Sequence, residues 1–177
     1  MCGAELRDRV AGAWAVLDTV PDPEVPALSL CDLGVVREVN LRDDGGLEVV
    51  LTPTYSGCPA TEVIAASVRT ALEAQALGPV TLTQRLAPAW TTDWISEAGR
   101  RKLREYGIAP PAHLGTGPDG LAAAGGAMPI RIVVRDVACP RCGSAQVERL
   151  AAFGSTACKA LYRCLACREP VEHFNPL

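Results

Sequence analysis

The chain has 177 residues, enough for one ordinary domain or for one domain with a small appendage. An apolar content of 49% can fill a core, and a charged content of 21% argues against a disordered chain. No apolar run is long enough to cross a bilayer, the N-terminus is charged, and the formal charge of −3 gives no general pull toward nucleic acid, so membrane and nucleic-acid partners are not expected.

The absence of an export signal predicts a cytoplasmic protein. In a reducing compartment the eight cysteines point to metal binding or thiol chemistry rather than to a disulfide framework. Charge is uneven. Residues 1–129 carry 10 Lys/Arg and 16 Asp/Glu, a net of −6, and residues 130–177 carry 7 and 4, a net of +3.

In chain order, Leu6, Val10, Trp14 and Leu17 recur at helical spacing and predict an amphipathic helix over 4–19, ended by Pro21, Pro23 and Pro26. Val35–Leu41 and Leu47–Leu51 flank Asp43-Asp44-Gly45-Gly46 and read as a β-hairpin. A second helix is expected over about 59–76, with Ile64, Val68 and Leu72 on its buried face and Gly78-Pro79 as its stop. Val80, Leu82 and Leu86 suggest a third strand, and a third helix over about 93–106 ends at Gly107. The expected fold class is α+β: helices packed on a mainly three-stranded sheet in residues 1–108, followed by a metal-binding β-ribbon with four cysteine ligands. Residues 109–129, rich in Pro, Gly and Ala, read as a linker. Ile130–Val134 restarts as a strand, opening a second unit over 130–177.

That unit contains Cys139-Pro140-Arg141-Cys142-Gly143 and Cys164-Leu165-Ala166-Cys167. Each C-x-x-C can form a tight knuckle that turns two sulfurs onto one ion, and the glycine after Cys142 permits the turn. Two knuckles supply a tetrahedral thiolate set. The 21 residues between the pairs slightly exceed the usual spacing, and a hairpin of Ala145–Leu150 with Ala160–Arg163 absorbs them. Four thiolates suit zinc, which the ribbon-like spacing favours, and also a 4Fe-4S cluster. Arg141, Lys159, Arg163 and Arg168 would offset the negative charge of either. Cys158, close to the second pair, is a candidate extra or exchange ligand, and His173 is expected at the surface.

Three further segments bear chemistry. Cys58 precedes Pro59 at a predicted helix start, where the macrodipole would lower its pKa. It reads either as an accessible thiolate that binds metal or reacts, or as a small buried cap. Asp22-Pro23-Glu24-Val25-Pro26 is a stiff loop whose two carboxylates could face one direction, or simply a rigid acidic connection. In Trp90-Thr91-Thr92-Asp93-Trp94, Thr92 or Asp93 is expected to cap the third helix. Cys2 and Cys31 have no partner spacing.

Asp22–Pro26, Leu33-Gly34, Thr52-Pro-Thr-Tyr-Ser-Gly-Cys-Pro59 and Pro88–Trp94 together resemble the SufT-like iron–sulfur assembly domain. The segment from Cys139 through Phe153-Gly-Ser-Thr-Ala-Cys-Lys159, Tyr162-Arg-Cys164 and Glu169-Pro170 resembles the PaaD family. The one departure is Ala89, between Pro88 and Trp90. The resemblance covers nearly the whole chain except the linker. It implies an accessory subunit of the phenylacetyl-CoA epoxidase system in aerobic phenylacetate degradation. It also implies a maturation role for metal centres, with the oxygenase or reductase subunits as partners. By position, Cys58 is then the cysteine of the assembly motif, and Asp22 and Glu24 belong to its acidic loop.

A catalytic oxygenase role lacks equipment: there is no E-x-x-H pair for a diiron site, only two histidines, and no G-x-G-x-x-G run that opens a dinucleotide fold. An electron-transfer role would need an iron–sulfur centre in the ribbon. A nucleic-acid-binding ribbon is weakened because zinc and four thiolates reduce the local charge to about +1. Cys58 and the ribbon could meet across the linker, or between protomers of a homo-oligomer.

Overall fold

The structure, a computed structural model, describes residues 3–112 and 137–175. Helix α1 spans Gly3–Leu17. Among its described side chains Ala13 and Leu17 are fully buried and Val10 and Trp14 only partly covered, so the stripe predicted through Trp14 is rotated toward Ala13; the side chain of Leu6 lies outside those described. Strands β1 (Val36–Leu41) and β2 (Leu47–Leu51) form the expected antiparallel hairpin, with a bulge between Val36 and Glu38. Helix α2 (Thr61–Ala74) buries Ile64, Val68 and Leu72, one stripe at helical spacing. It crosses over to β3 (Val80–Gln84), which runs parallel to β2 with Val49 opposite Leu82. The strand ends before Leu86, whose side chain is exposed. Central strand β2 supplies the most buried positions, Leu47, Val49 and Val50.

The expected third helix is two pieces. A 3-10 turn covers Thr92–Trp94, and α3 covers Glu97–Tyr106, ending at Gly107. The α3 N-cap is Ser96, whose hydroxyl accepts from Gly99 N, rather than Thr92 or Asp93. Ser96 also donates to Asp32 Oδ1 at 3.0 Å, while Lys102 Nζ stands 2.5 Å from Asp32 Oδ2 and Ser29 N donates to it at 3.1 Å. Burial opposes the Asp32 charge, but these donors, led by Lys102, hold its pKa below the ordinary value. The buried carboxylate thereby fastens α3 to the loop before β1.

Gly34 fixes another close approach. Its φ is +67°, and a Cβ there would stand 2.7 Å from Trp94 O and 2.8 Å from Trp94 Cβ. Gly34→Ala is expected to cost about 2–3 kcal/mol from backbone strain and displacement of Trp94. A lowered urea midpoint with an unchanged slope would register this loss.

A second sheet has the order β4-β7-β6-β5. Strands β5 (Val147–Ala151) and β6 (Lys159–Cys164) make the predicted hairpin, and β7 (Pro170–Phe174) pairs antiparallel with β6. The edge strand β4 is Ile108–Ala109, immediately after α3, and runs parallel to β7. Thus the helical part of the chain lends a strand to the ribbon's sheet. Most of the predicted linker, and the predicted strand Ile130–Val134, lie outside the described residues.

The cores follow the same pattern. One cluster joins α1, α2 and the Leu47, Val49 and Leu51 face of β2 with Trp90, and includes Cys158 and Phe174 from the ribbon. A smaller cluster of Ala109, Val137, Cys139, Cys164 and Val171 lies within the ribbon. Trp90 links the two parts directly. Its Nε1 donates to Leu33 O at 2.8 Å, and its ring lies 6.0 Å from that of Phe174.

Candidate functional site

The two cysteine knuckles repeat one backbone design. In the first, Gly143 N donates to Cys139 O at 2.8 Å and Cys139 N to Ser144 O at 2.9 Å. In the second, Arg168 N donates to Cys164 O and Cys164 N to Glu169 O, both at 3.0 Å. The residue after each pair has positive φ, +74° at Gly143 and +66° at Arg168. Glycine makes that turn without steric cost, whereas arginine tolerates it because the hydrogen bonds on either side close the knuckle.

The knuckles bring the sulfurs of Cys139, Cys142, Cys164 and Cys167 within 4.8 Å of one another. Cys139 and Cys167 are 3.8 Å apart, and Cys142 and Cys164 are 3.6 Å apart. A tetrahedron of four sulfurs at about 2.3 Å from one ion has edges of about 3.8 Å. The residues therefore fit a single tetrahedral metal ion, which would tie β6 to the two turns. Among these neighbouring sulfurs the Cys164 thiol is drawn down, first by the Cys167 amide, while the Cys142 and Cys167 thiols are raised, so the set takes up one negative charge readily and a metal ion would be needed to carry the rest.

Two expectations about the ribbon's surroundings change. Lys159 is buried and paired with Glu172 at 3.0 Å, and Arg163 pairs with Glu148 at 2.8 Å, so both cations already have carboxylate partners. His173 is buried on β7, edge-on to Tyr162 at 5.7 Å, rather than at the surface.

Cys158 is also placed differently from the expectation that it extends the ribbon's ligand set. Its sulfur is not part of the four-sulfur group. It lies 3.0 Å from Thr156 Oγ1 and donates to Glu24 Oε2 at 3.3 Å, across 134 positions of sequence. A narrow cleft is lined by Asp22, Glu24, Cys58 and Cys158, with Thr54 beside them and Phe174 among its apolar walls. The loop after α1, the turn before α2 and the ribbon therefore meet at one place.

Asp22 supports this cleft from within. Its Oδ1 accepts from Glu24 N at 2.9 Å and Val25 N at 2.8 Å, folding the Pro-rich loop on itself. Burial raises the Asp22 pKa despite these amides. The expectation for Cys58 is corrected in sign. Helix α2 starts at Thr61 with Ala60 as N-cap, so Cys58 precedes the macrodipole's positive end. It sits in a turn, with Cys58 N donating to Tyr55 O at 3.2 Å and Thr61 Oγ1 donating to Cys58 O at 2.8 Å. Burial pushes its pKa up. The Ala60 amide pulls the other way, and the Glu24 and Asp22 carboxylates add to the rise.

Comparison with known proteins matches both parts. Residues 132–175 match the PaaD zinc beta ribbon domain, and residues 11–81 match a family described as iron–sulfur cluster assembly protein. An Escherichia coli K12 protein, named as a subunit of a "Putative 1,2-phenylacetyl-CoA epoxidase", is 46% identical over 166 residues, covering 92% of this chain and 90% of that one. The chain belongs to the PaaD family. The Fe-S protein maturation auxiliary factor SufT of Staphylococcus aureus is 35% identical over 85 residues, covering 48% of this chain and 96% of its own length. A domain-of-unknown-function DUF59 structure from Bacillus anthracis has a TM-score of 0.52 at 22% identity, covering 55% of this chain and 92% of that one, and shares the fold. The SufT-length relative thus accounts for about half of this PaaD-family chain. The cleft, in contrast, takes Cys158 and Phe174 from the ribbon.

Proposed function

We propose that this chain is a non-catalytic accessory factor of a phenylacetyl-CoA epoxidase system, which assembles or matures an iron–sulfur or other metal centre in that system's oxygenase or reductase. Cys58, with Glu24 beside it, is the point at which the cargo is held and passed on, and Asp22 shapes the loop around it. The ribbon's four cysteines hold a resident zinc ion, and the protein works in the cytoplasm. The observation that supports this division is the contrast between the two sites. The ribbon closes four sulfurs onto the space of one ion, whereas Cys58 is half-buried in a carboxylate-lined cleft. A closed thiolate set retains its metal. A part-accessible thiol outside any closed thiolate set allows exchange.

The residues suggest how the exchange is gated. Burial and the two carboxylates keep the Cys58 thiol protonated until a cation arrives. The arriving positive charge reverses that balance, and the thiol loses its proton as the metal–sulfur bond forms. The homologues support the cargo. Relatives named Fe-S protein maturation auxiliary factors match about half of this chain, and the iron–sulfur cluster assembly family matches residues 11–81, which contain Cys58. No helix among the described residues is long and apolar enough to cross a membrane.

Cys58→Ala is expected to leave a folded, zinc-loaded protein, because the side chain is only half-buried and truncation costs about 1 kcal/mol. The variant should fail to restore phenylacetyl-CoA epoxidation in a strain lacking the wild-type chain. Full restoration would remove Cys58 from the transfer step. Metal analysis of anaerobically purified protein checks the ribbon, with one zinc and no iron expected at its four cysteines.

A further inference from the structure

The open edge of a sheet is a template for another strand, and proteins ordinarily spoil it with charge, proline, a bulge or short length. Among the described residues, three of the four sheet edges are spoiled in this way. Strand β1 carries Arg37 and Glu38 and is bulged between Val36 and Glu38. Strand β5 carries Glu148 and Arg149 and is bulged between Arg149 and Ala151. Strand β4 is two residues long. The edge of β3 differs: Val80-Thr-Leu-Thr-Gln84 has no charge, no proline and an unbroken register with β2.

That register decides which groups face outward. Leu47 N donates to Pro79 O, and Arg85 N donates to Leu51 O, so Thr81 and Thr83 turn their amides and carbonyls toward β2. Val80, Leu82 and Gln84 turn theirs along the open edge. A pocket of about 210 Å³ lies between this part of the sheet and α2. Leu51, Ile64, Ala65 and Leu82 form its apolar part, and Glu62 and Arg69 of α2, both exposed, stand at its rim. Leu82 is opposite the fully buried Val49 but is itself only half-buried, opening on this pocket.

We propose that the β3 edge and this pocket receive an extended segment of the client subunit, added to the sheet as a fourth strand. Its main chain pairs with the outward groups of Val80, Leu82 and Gln84, and one apolar side chain enters the pocket. An acidic side chain toward Arg69 and a basic one toward Glu62 set the direction in which it lies. The choice of a client as occupant rests on the reading of Cys58 given above. The place suits that reading. Thr61, which lines the pocket, donates its hydroxyl to Cys58 O at 2.8 Å, and Val35 and Ile64 wall both the pocket and the Cys58 cleft. A strand added to β3 thus brings the client against the turn that carries Cys58.

The test titrates each purified oxygenase and reductase subunit into the zinc-loaded full chain and follows hydrogen exchange amide by amide. One of them is expected to bind and to slow exchange at Val80, Leu82 and Gln84, whereas Thr81 and Thr83 are protected before it is added. Gln84→Pro removes an outward N–H and no bond to β2, so it should keep the wild-type thermal transition and weaken binding about tenfold, the weight of one or two hydrogen bonds. Arg69→Glu, on the surface of α2, should weaken binding by about the same factor, and it keeps the test decisive if proline disturbs β3. Binding without protection of the three amides overturns the proposal. So does binding undiminished in both variants, or failure of every subunit to bind. Protection that appears in the free chain as its mass rises to that of a dimer assigns the edge to a second copy and also overturns it. Any of these results leaves Cys58 to be judged by its own restoration assay. If the three amides are protected as expected and Cys58→Ala restores epoxidation in full, the reading of Cys58 falls and the docking edge stands.

Discussion

Replacing Cys164 with serine is expected to empty the ribbon of metal and unfold its sheet. Cys164 closes β6, is fully buried, and sits 3.6 Å from the Cys142 sulfur. Its backbone also holds the second knuckle through Arg168 N and Glu169 O. Among the described residues, the ribbon's buried cluster apart from the cysteines is Ala109, Val137 and Val171, with Val147 and Tyr162 partly buried against it, a small apolar surface for four short strands. Metal binding adds to it. In small zinc domains it amounts to roughly 10–16 kcal/mol, far more than one hydrophobic contact. Zinc content should fall from one per chain to none, and the thermal transition should move down by many degrees. Chelating zinc from the wild type should give the same state. A serine variant that keeps one zinc and the wild-type transition would show that three cysteines suffice.

Much of this arrangement was legible in the sequence, for identifiable reasons. Ile64, Val68 and Leu72 mark α2 because their spacing matches a helix and all three are buried. The hairpin around Gly45-Gly46 and the two C-x-x-C knuckles are equally local. What local pattern could not reveal are features made by partners far apart. Asp32 has no motif, and its partners Ser96 and Lys102 lie 64 and 70 positions away. Two residues able to cap α3, Thr92 and Asp93, precede Ser96, and the contact with Asp32 accompanies the cap at Ser96.

The cleft shows the same limit more sharply. The sequence placed Cys158 beside the ribbon's second pair, because proximity along the chain is the only signal available there. In the structure it is hydrogen-bonded to the carboxylate of Glu24. The direction of the Cys58 shift escapes the sequence for a related reason. A Cys-Pro pair suggests a helix start, but the helix begins two residues after Pro59, and the burial that raises the thiol comes from tertiary packing. Short-range rules thus found the groups that bear the chemistry, and long-range packing set their company and their protonation.

Phe174→Ala is expected to separate the ribbon from the cleft while leaving its metal in place. Phe174 is 1% exposed and lies in the larger core beside Trp90, although it ends a ribbon strand. Removing its ring should cost about 3–5 kcal/mol, because rigid neighbours on both sides cannot close the cavity. None of the four ribbon cysteines belongs to that core, so zinc should remain at one per chain. Near-UV circular dichroism should lose the Trp90 contribution, and denaturation should resolve into two transitions where wild type has one. Cys158 should then become open to alkylation, since Phe174 walls its cleft. One unchanged transition with a protected Cys158 would mean that pairing of β4 with β7 alone holds the two parts together. The expected result would instead tie ribbon docking to the shape of the cleft. The ribbon's metal would then act on the transfer site indirectly, by keeping β6 and β7 rigid enough to hold Cys158 and Phe174 against Glu24 and Trp90.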